Sequence, residues 1–212
     1  MADMKYLSIE EFTALTASDA PAPGGGGVCA LVAALGVALA EMVINLTIGK
    51  EKYAGVDSEM RALAQQAEAL RKELLDAIQK DAECFNGYMA ALRMPKETEA
   101  EKLARREAMQ NGLKEAAVAP LEVAKTTVKI FPIAQTAVQK GNSNAVTDGL
   151  AAAMLSRSAV LGTLLNVKIN LASIKDEAFV AEYSAQVKQL EQQAIEMEKQ
   201  VLACSDLTDK IL

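Results

Sequence analysis

The sequence predicts an all-α fold, built as a single bundle of about six to eight long helices over residues 1–212. Strong helix formers dominate nearly every window, and roughly one residue in five or six is alanine. No β-branched run alternates with polar residues between turns, so a sheet is not expected. Apolar residues instead recur at steps of three and four, which places them on one face of a helix.

Start and stop signals divide the chain into these helices. Ser8 and Glu11 form a capping box that begins the first helix. The remaining helices are expected over about 28–48, about 57–92, from near Thr98 to Gly141-Asn142 with breaks at Pro120 and Pro132, about 144–173, and from Asp176 onward. Together they predict one helical domain.

Composition excludes several classes of function. Lys and Arg number 22 against 28 Asp and Glu, a net charge of -6, so neither a nucleic-acid partner nor an anionic membrane surface is expected. Histidine is absent, which excludes Ser-His-Asp and Cys-His catalysis and any imidazole metal site. Chemistry therefore falls to Asp, Glu, Lys, Tyr, Cys or the backbone.

Cysteine usage and hydropathy predict a soluble, cytoplasmic protein. Cys29, Cys84 and Cys204 are isolated and form no CxxC pair, which fits a reducing compartment better than disulfides or a zinc site. The N-terminus shows no signal peptide. The longest uncharged apolar stretch, 28–40, is too short to span a bilayer.

Asp81 interrupts the apolar seam of the third helix. This seam is Leu63, Ala67, Leu70, Leu74, Ile78, Asp81, Phe85, Tyr88 and Leu92. Burial raises the pKa of an unpaired carboxylate, which suits a general acid or base near neutral pH. A structural ion pair or a helix cap would explain the same pattern, and both interpretations stay open at this point.

Small polar residues form a second unusual stripe, on the fifth helix. Its members are Ser156, Thr163, Asn166, Asn170 and Ser173. They can line a polar pocket or fix the register of a neighbouring helix. Upstream, Asn142, Asn144 and Asp148 surround a helix start, where most such residues are caps.

Pro23 precedes four glycines, 24–27, and then a helix. Free N–H groups beside a helix N-terminus favour anions, yet no Walker or dinucleotide motif is present. Close approach of the backbone to a ligand or another helix explains the run better than a linker. Lys50 and Arg105-Arg106 are most simply solvated charges.

Ordered motifs along nearly the whole chain resemble one known family. They are Ala22-Pro23-Gly24-Gly25-Gly26-Gly27-Val28, Ala33-Ala34-Leu35-Gly36, Leu46-Thr47-Ile48-Gly49-Lys50-Glu51-Lys52-Tyr53, Asp81 with Phe85, Leu92-Arg93-Met94-Pro95-Lys96, Pro120-Leu121, Gly141-Asn142 with Thr147-Asp148, Asn166, Asn170 and Asp176-Glu177-Ala178-Phe179. This set resembles the cyclodeaminase/cyclohydrolase family of folate enzymes. The family comprises the C-terminal domain of formiminotransferase-cyclodeaminase and stand-alone methenyltetrahydrofolate cyclohydrolases.

The resemblance implies an all-α homodimer acting on the one-carbon unit between nitrogen-5 and nitrogen-10 of tetrahydrofolate. A cyclohydrolase opens the 5,10-methenyl group to 10-formyl, and a cyclodeaminase closes 5-formimino to 5,10-methenyl with loss of ammonia. Both need proton transfer but no metal or redox cofactor beyond the folate carrier. A folate-binding relative without activity and a helical scaffold are the alternatives.

The resemblance also suggests roles for individual residues. Asp81 is the expected general acid/base, with Asp148 the second candidate for proton transfer or pterin recognition. The amides expected to bind the pterin or the amidine are Asn142, Asn144, Asn166 and Asn170. The turn formed by Gly24, Gly25, Gly26 and Gly27, together with Lys50, is expected to face the folate carboxylates. The family usually has Ser at position 27, so any hydroxyl contribution there is lost.

Overall fold

The computed structural model describes residues 3–208 of the chain. These residues form seven α-helices: α1 (Ile9–Thr16), α2 (Gly25–Asn45), α3 (Asp57–Leu92), α4 (Glu99–Val128), α5 (Ile130–Lys140), α6 (Val146–Leu171) and α7 (Glu177–Leu202). The 3₁₀ turns lie at Met4–Tyr6, Glu51–Val56, Ser143–Ala145 and Asp206–Thr208. No strand occurs in this described part, and the all-α prediction is confirmed.

Side-chain caps begin three of the helices where the sequence indicated. Ser8 caps α1 in a reciprocal box with Glu11, and Thr98 caps α4 in the same way. Asp176 accepts a 3.1 Å hydrogen bond from the N–H of Phe179 at the start of α7. These side chains pair N–H groups that have no partner within the helix.

The second helix begins earlier than expected. α2 starts at Gly25 and ends at Asn45, so three of the four glycines form its first turn rather than a loop before it. Gly24 is the N-cap and, as a glycine, has no side chain to form a cap hydrogen bond. Glycine suits this turn because α6 lies close to Gly25 and α3 lies close to Gly26, which leaves little room for a Cβ atom at either position.

Pro120 does not interrupt α4, contrary to the sequence expectation. A proline has no N–H, so the carbonyl of Ala116, four residues earlier, loses its helical donor. Nδ2 of Asn170 donates to that carbonyl at 3.0 Å and supplies the missing bond from α6. The break falls instead at Lys129, which places Pro132 in the first turn of α5, where no N–H is needed.

Helices α2, α3, α4 and α6 form the central bundle, each packed against two of the others in the cyclic order α2–α3–α4–α6. α2 and α6 run antiparallel, since Gly25 lies beside Asn166 while Gly36 lies beside Ser156. Close approach at Gly36 is tight: a Cβ there would lie 3.3 Å from the carbonyl oxygen of Ala152. The helices therefore interlock through small residues.

Two segments, Gly25–Asn45 and Ser143–Leu171, are long and apolar enough to cross a membrane, with mean hydropathies of 2.3 and 1.4. Core helices of soluble proteins pass the same test, and these two are the central pair of the bundle. Their composition is explained by packing against each other and against α3 and α4.

Candidate functional site

A cavity of about 270 Å³ opens at the N-terminal end of α2. It is lined by Pro21, Ala22, Gly24, Gly25, Gly26, Asp81, Cys84, Phe85, Tyr88, Ala116, Asn166 and Asn170. We call it the Asp81 cavity. Its walls come from the α2 start, the second half of α3, the middle of α4 and the second half of α6.

Asp81 is half-buried in the wall formed by α3, where the helix meets the first turn of α2. The N–H of Gly27 donates to its Oδ2 at 3.0 Å. Burial raises the pKa of Asp81, and the hydrogen bond from Gly27 opposes that shift. No salt bridge to Asp81 forms among residues 3–208, so the carboxylate meets a single N–H dipole rather than a cation.

Gly26 and Gly27 differ in how strictly their positions require glycine. A Cβ at Gly26 would lie 2.6 Å from Cγ of Asp81, a distance that real Cβ atoms do not reach. At Gly27 a Cβ would lie 3.4 Å from Cβ of Pro23 and 3.6 Å from Cγ2 of Ile78, which is ordinary contact. The lack of a side chain at Gly26 therefore leaves space for the Asp81 carboxylate, whereas Gly27 contributes its backbone N–H.

Asn166 and Asn170 stand one helical turn apart on α6 and both face the cavity. Nδ2 of Asn166 donates to the carbonyl of Gly162, and Nδ2 of Asn170 donates to the carbonyls of Asn166 and Ala116. Within the described residues neither Oδ1 accepts a hydrogen bond. Both amides therefore combine a fixed orientation with a free acceptor beside Asp81.

The rest of the polar stripe on α6 does not reach the cavity. Ser156 is fully buried and donates to the carbonyl of Ala152, and Thr163 is buried between α6 and α2. The sulfur of Cys29 lies nearby, and burial raises its thiol pKa, which disfavours a reactive thiolate. Only Asn166 and Asn170 of this stripe therefore line the cavity, and the hydrogen bond of Ser156 stays within α6.

Six residues of the cavity lining have no role predicted from the sequence: Pro21, Ala22, Cys84, Phe85, Tyr88 and Ala116. Phe85 and Tyr88 continue the seam of α3 beyond Asp81, Cys84 is also on α3, and Ala116 contributes from α4. In the sequence Tyr88 is visible only as a seam member, and Phe85 only as a seam member and in a motif with Asp81, because an aromatic residue at helical spacing usually belongs to a core. The signal that distinguishes them is their position one and two turns after the buried carboxylate.

The other predicted site residues lie at the opposite end of α2. Asn142 donates through Nδ2 to the carbonyl of Leu46, and its N–H binds Oγ1 of Thr47. Its Oδ1 accepts from the N–H of Asn144. Since α2 has 21 residues and rises about 1.5 Å per residue, this end lies roughly 30 Å from its start.

Lys50 and Asp148 belong to that same distant end. Lys50 is exposed in the segment after α2, and Asp148 is half-buried in the first turn of α6. We call the segment from Asn142 to Asp148 the Asn142 turn. One protomer therefore does not bring Asn142, Asn144, Asp148 or Lys50 to Asp81.

Tyr53 gives the Asn142 turn an activated side chain. Its hydroxyl accepts from the N–H of Ser143 at 3.1 Å and lies 3.4 Å from Oγ of Ser143. These bonds, with Lys52 close by, lower the pKa of Tyr53 to about 8. In the sequence Tyr53 stands out only as part of a motif. Its lowered pKa depends on Ser143, which lies 90 positions away in the chain.

A second cavity, of about 260 Å³, reaches Asp81 from the side between α3 and α4. Besides Asp81, it is lined by the apolar residues Leu74, Ala77, Ala119 and Val123 and by the polar residues Glu73, Asp76, Lys80, Glu122 and Thr126. Asp81 thus borders two openings, which gives a small molecule such as water access to it.

Metal ligands are not grouped in the part of the chain that the structure describes: no cluster of three His, Cys, Asp or Glu side chains occurs there. What the Asp81 cavity does provide is one carboxyl of raised pKa, two amide acceptors and two aromatic rings. A planar nitrogen heterocycle with N–H donors fits this set, and the carboxyl can move a proton at a bound atom.

Comparison with known proteins gives concordant matches. Residues 8–189 match the sequence model of the family described as Formiminotransferase-cyclodeaminase. A methenyltetrahydrofolate cyclohydrolase of Methylorubrum extorquens is 38% identical over 184 residues, covering 87% of each chain. A formimidoyltransferase-cyclodeaminase of Rattus norvegicus is 35% identical over 187 residues, 88% of this chain but only 35% of that longer protein.

A solved structure has the same fold. The crystal structure of formiminotetrahydrofolate cyclodeaminase from Thermotoga maritima superimposes with a TM-score of 0.85 at 33% identity, covering 94% of this chain and 96% of that one. Sequence and fold therefore point to one family.

Proposed function

The chain belongs to the formiminotransferase-cyclodeaminase family, and we propose that it is a soluble, cytoplasmic enzyme acting on the carbon between nitrogen-5 and nitrogen-10 of tetrahydrofolate. The reaction we place first is that of a methenyltetrahydrofolate cyclohydrolase, from 5,10-methenyl to 10-formyl. The observation that carries this proposal is the half-buried Asp81 carboxylate beside Asn166 and Asn170. The match of the Methylorubrum cyclohydrolase over 87% of both chains supports it.

Hydrolysis of the methenyl group needs a base and then an acid at the same place. Asp81, ionised, takes a proton from a water molecule as the water oxygen bonds to the methenyl carbon. The product is a tetrahedral carbon that carries nitrogen-5, nitrogen-10 and a hydroxyl. When the carbon–nitrogen-5 bond breaks, the protonated Asp81 returns a proton to nitrogen-5 and the hydroxyl proton leaves to water.

The surroundings of Asp81 suit both halves of this reaction. A carboxyl whose pKa is raised exchanges a proton near neutral pH more readily than an ordinary aspartate does. Its negative charge also complements the methenyl cation, and the single N–H of Gly27 holds it in place. The residues proposed for the pterin are Asn166 and Asn170, through their free Oδ1 atoms.

Cyclodeaminase chemistry is the second candidate, supported by the Thermotoga maritima structure. Here nitrogen-10 bonds to the formimino carbon, and a carboxylic acid protonates the amino group that departs as ammonia. Asp81 would accept the nitrogen-10 proton and deliver one to the leaving group. Neither route needs a metal or redox cofactor, and tetrahydrofolate is itself the one-carbon carrier.

Homodimer formation is part of the proposal. Along one face of α2 the residues Val28, Val32, Leu35, Leu39, Met42 and Leu46 form an apolar stripe, of which Leu35 is 53% exposed. Leu165 and Ile169 on α6 are 63% and 72% exposed. A second copy of the chain is the occupant that suits these faces, because a long self-complementary helix face closes under a twofold axis.

Antiparallel pairing of two α2 helices would also explain the division of the predicted site. The Asp81 cavity lies at one end of α2, and the Asn142 turn, Lys50 and Tyr53 lie at the other. A twofold axis near the middle of α2 brings the Asn142 turn of one subunit towards the Asp81 cavity of the second. Asp148, Asn142, Asn144 and Lys50 then approach the substrate from the second subunit.

The experiment follows the near-ultraviolet band of methenyltetrahydrofolate with the purified chain. Enzyme-dependent loss of the band from methenyltetrahydrofolate supports cyclohydrolase, and its appearance from formiminotetrahydrofolate with ammonia release supports cyclodeaminase. Binding without turnover leaves a folate-binding relative. Absence of both contradicts the proposal and leaves a helical scaffold.

A further inference from the structure

The second cavity, between α3 and α4, has no part in the substrate contacts proposed above. It measures about 260 Å³, and we call it the lateral cavity. Among residues 3–208, Asp81 alone lines both the lateral cavity and the Asp81 cavity. The carboxylate proposed as the general base is therefore reached from two different directions.

The two helices that form the lateral cavity run antiparallel. Near the end of α4, Thr126 donates to Glu73 in the first half of α3. Near the start of α4, Arg105 donates to the carbonyl of Leu92 at the end of α3. A groove between these helices therefore follows α3 in the direction of rising residue number and α4 in the direction of falling residue number.

The lateral cavity and the Asp81 cavity occupy consecutive parts of this groove. On α3 the lateral cavity extends from Glu73 to Asp81, and the Asp81 cavity continues to Tyr88. On α4 Ala119 lines the lateral cavity, and Ala116, three residues earlier, lines the Asp81 cavity. Since three residues make nearly one helical turn, the two cavities meet at the level of Asp81.

The charges that line the lateral cavity are balanced. Asp76 pairs with Lys5 at 2.6 Å, and Glu122 pairs with Lys125 at 2.8 Å. Apart from Asp81 itself, the remaining charges of the lining are one of each sign, on Glu73 and Lys80. Because neither sign is in excess, the lateral cavity favours a neutral small molecule over an ion.

Water suits the lateral cavity in size and in polarity. The volume of 260 Å³ is far larger than the roughly 10–15 Å³ that a single water molecule requires. Oε1 of Glu73 accepts from Oγ1 of Thr126 at 2.7 Å, and Oε2 of Glu73 accepts no hydrogen bond within residues 3–208. Water in the lateral cavity therefore has a carboxylate acceptor at one end, Glu73, and another at the other end, Asp81.

A bound folate obstructs the other approach to Asp81. Small-molecule sites bury roughly 70–90% of the surface of their ligand. The fused rings proposed for the Asp81 cavity then lie between the carboxylate and the solvent on that side. Cyclohydrolysis nevertheless consumes a water molecule in every turnover, so the water needs a route that the folate does not fill.

Resting on the proposed function, we infer that the lateral cavity is the route by which the attacking water molecule reaches Asp81 while folate occupies the Asp81 cavity. The two reactants enter from different sides, and Asp81 takes the water proton where the routes meet. Ala77 on α3 and Ala119 on α4 leave this route open, because their side chains are small.

The test fills the lateral cavity from either wall, with Ala119→Leu on α4 and Ala77→Leu on α3. We expect kcat for cyclohydrolysis of methenyltetrahydrofolate to fall at least about tenfold in each variant, while the Kd for tetrahydrofolate changes less than about twofold. Ala116→Leu is the matched comparison, because the same substitution three residues away fills the Asp81 cavity and should raise that Kd. Circular dichroism establishes that each variant is folded.

Crystal structures provide a second measurement. In the wild-type chain, ordered water molecules are expected in the lateral cavity within hydrogen-bond distance of Asp81 and Glu73. In Ala119→Leu these water molecules should be displaced, while the bond from the N–H of Gly27 to Asp81 persists. This comparison separates a blocked water route from a displaced carboxylate.

A wild-type kcat in either folded lateral variant, or a lateral cavity without water in the wild-type crystal, overturns the inference while the proposed function stands. A tetrahydrofolate Kd raised as much by the lateral variants as by Ala116→Leu also overturns it, because the folate would then occupy both cavities. If neither lateral variant folds, the water molecules of the wild-type crystal decide the question. If the wild-type chain does not turn over methenyltetrahydrofolate, the proposed cyclohydrolase function has failed instead.

Discussion

The N–H of Gly27 donates a 3.0 Å hydrogen bond to Oδ2 of Asp81, and it joins the first turn of α2 to the middle of α3 across 54 positions of sequence. The donor is a backbone group, so the bond does not need the hydroxyl of the serine that is usual at position 27 in the family. It also pairs one of the free N–H groups at the N-terminus of α2, where the helix dipole favours a carboxylate.

Replacing Asp81 separates catalysis from stability. We expect Asp81→Asn to lower kcat for folate turnover by about 10²- to 10⁴-fold, because the amide cannot exchange the proton. Its Oδ1 still accepts from Gly27 and no buried charge remains, so the free energy of unfolding rises by about 1 kcal/mol. Urea denaturation and initial rates test this, with Glu83→Gln as the control on an exposed carboxylate of the same helix. Retained turnover in the Asp81 variant would remove Asp81 from the mechanism.

The pH dependence should report the raised pKa of Asp81. As the pH falls through that value, the carboxylate becomes protonated and can no longer take a proton from water. The acid limb of kcat/KM for cyclohydrolysis is therefore expected above the ordinary aspartate value of about 3.9. Ionisation of Asp81 also lowers the free energy of unfolding as the pH rises from the ordinary aspartate pKa through the raised one. This decrease with pH should be absent in Asp81→Asn. A rate that stays constant down to pH 4 would contradict the assignment.

Two neighbouring glycines should respond differently to substitution. Gly26→Ala places a Cβ against the Asp81 carboxyl, so the carboxylate must move and kcat falls by at least about tenfold. Gly27→Ser has ordinary contacts with Pro23 and Ile78, so we expect the variant to fold and to keep activity within about threefold of the wild type. Equal losses in both variants would show that the whole turn, rather than Gly26, is sensitive.

The bond from Asn170 to the Ala116 carbonyl is expected to depend on Pro120. In the wild-type background, Asn170→Ala leaves that carbonyl unpaired and costs about 1–2 kcal/mol of unfolding free energy. In the Pro120→Ala background, the new N–H at position 120 pairs with the carbonyl, and the cost of Asn170→Ala falls by about 1 kcal/mol. A double-mutant cycle by chemical denaturation measures this coupling, and additive effects would mean that the two residues act independently.

The proposed dimer predicts that the α2 stripe controls both assembly and activity. Leu35→Glu places a charge in the centre of the stripe and should yield monomers in sedimentation equilibrium, with kcat/KM lowered at least about tenfold. Ile195→Glu is the matched control, because Ile195 is 51% exposed on α7, close to the 53% of Leu35. Full activity in a monomeric Leu35→Glu chain would show that one subunit holds the complete site.

Local patterns in the sequence determined the helices and singled out Asp81. Caps at Ser8, Thr98 and Asp176 are short-range hydrogen bonds, so the residues that make them are visible in the sequence. The seam of α3 likewise reveals a carboxylate among apolar residues, because periodicity alone defines a helix face. These conclusions needed no knowledge of which helices are neighbours.

Only the tertiary structure decided how the candidate residues are grouped. It placed Asn166 and Asn170 beside Asp81. Asn142 and Asp148 lie at the other end of α2, a helix of 21 residues. It also carried α4 through Pro120, since the compensating amide comes from a different helix. Contacts between distant segments depend on which faces pack together, and that choice is made by the whole core at once rather than by any local pattern.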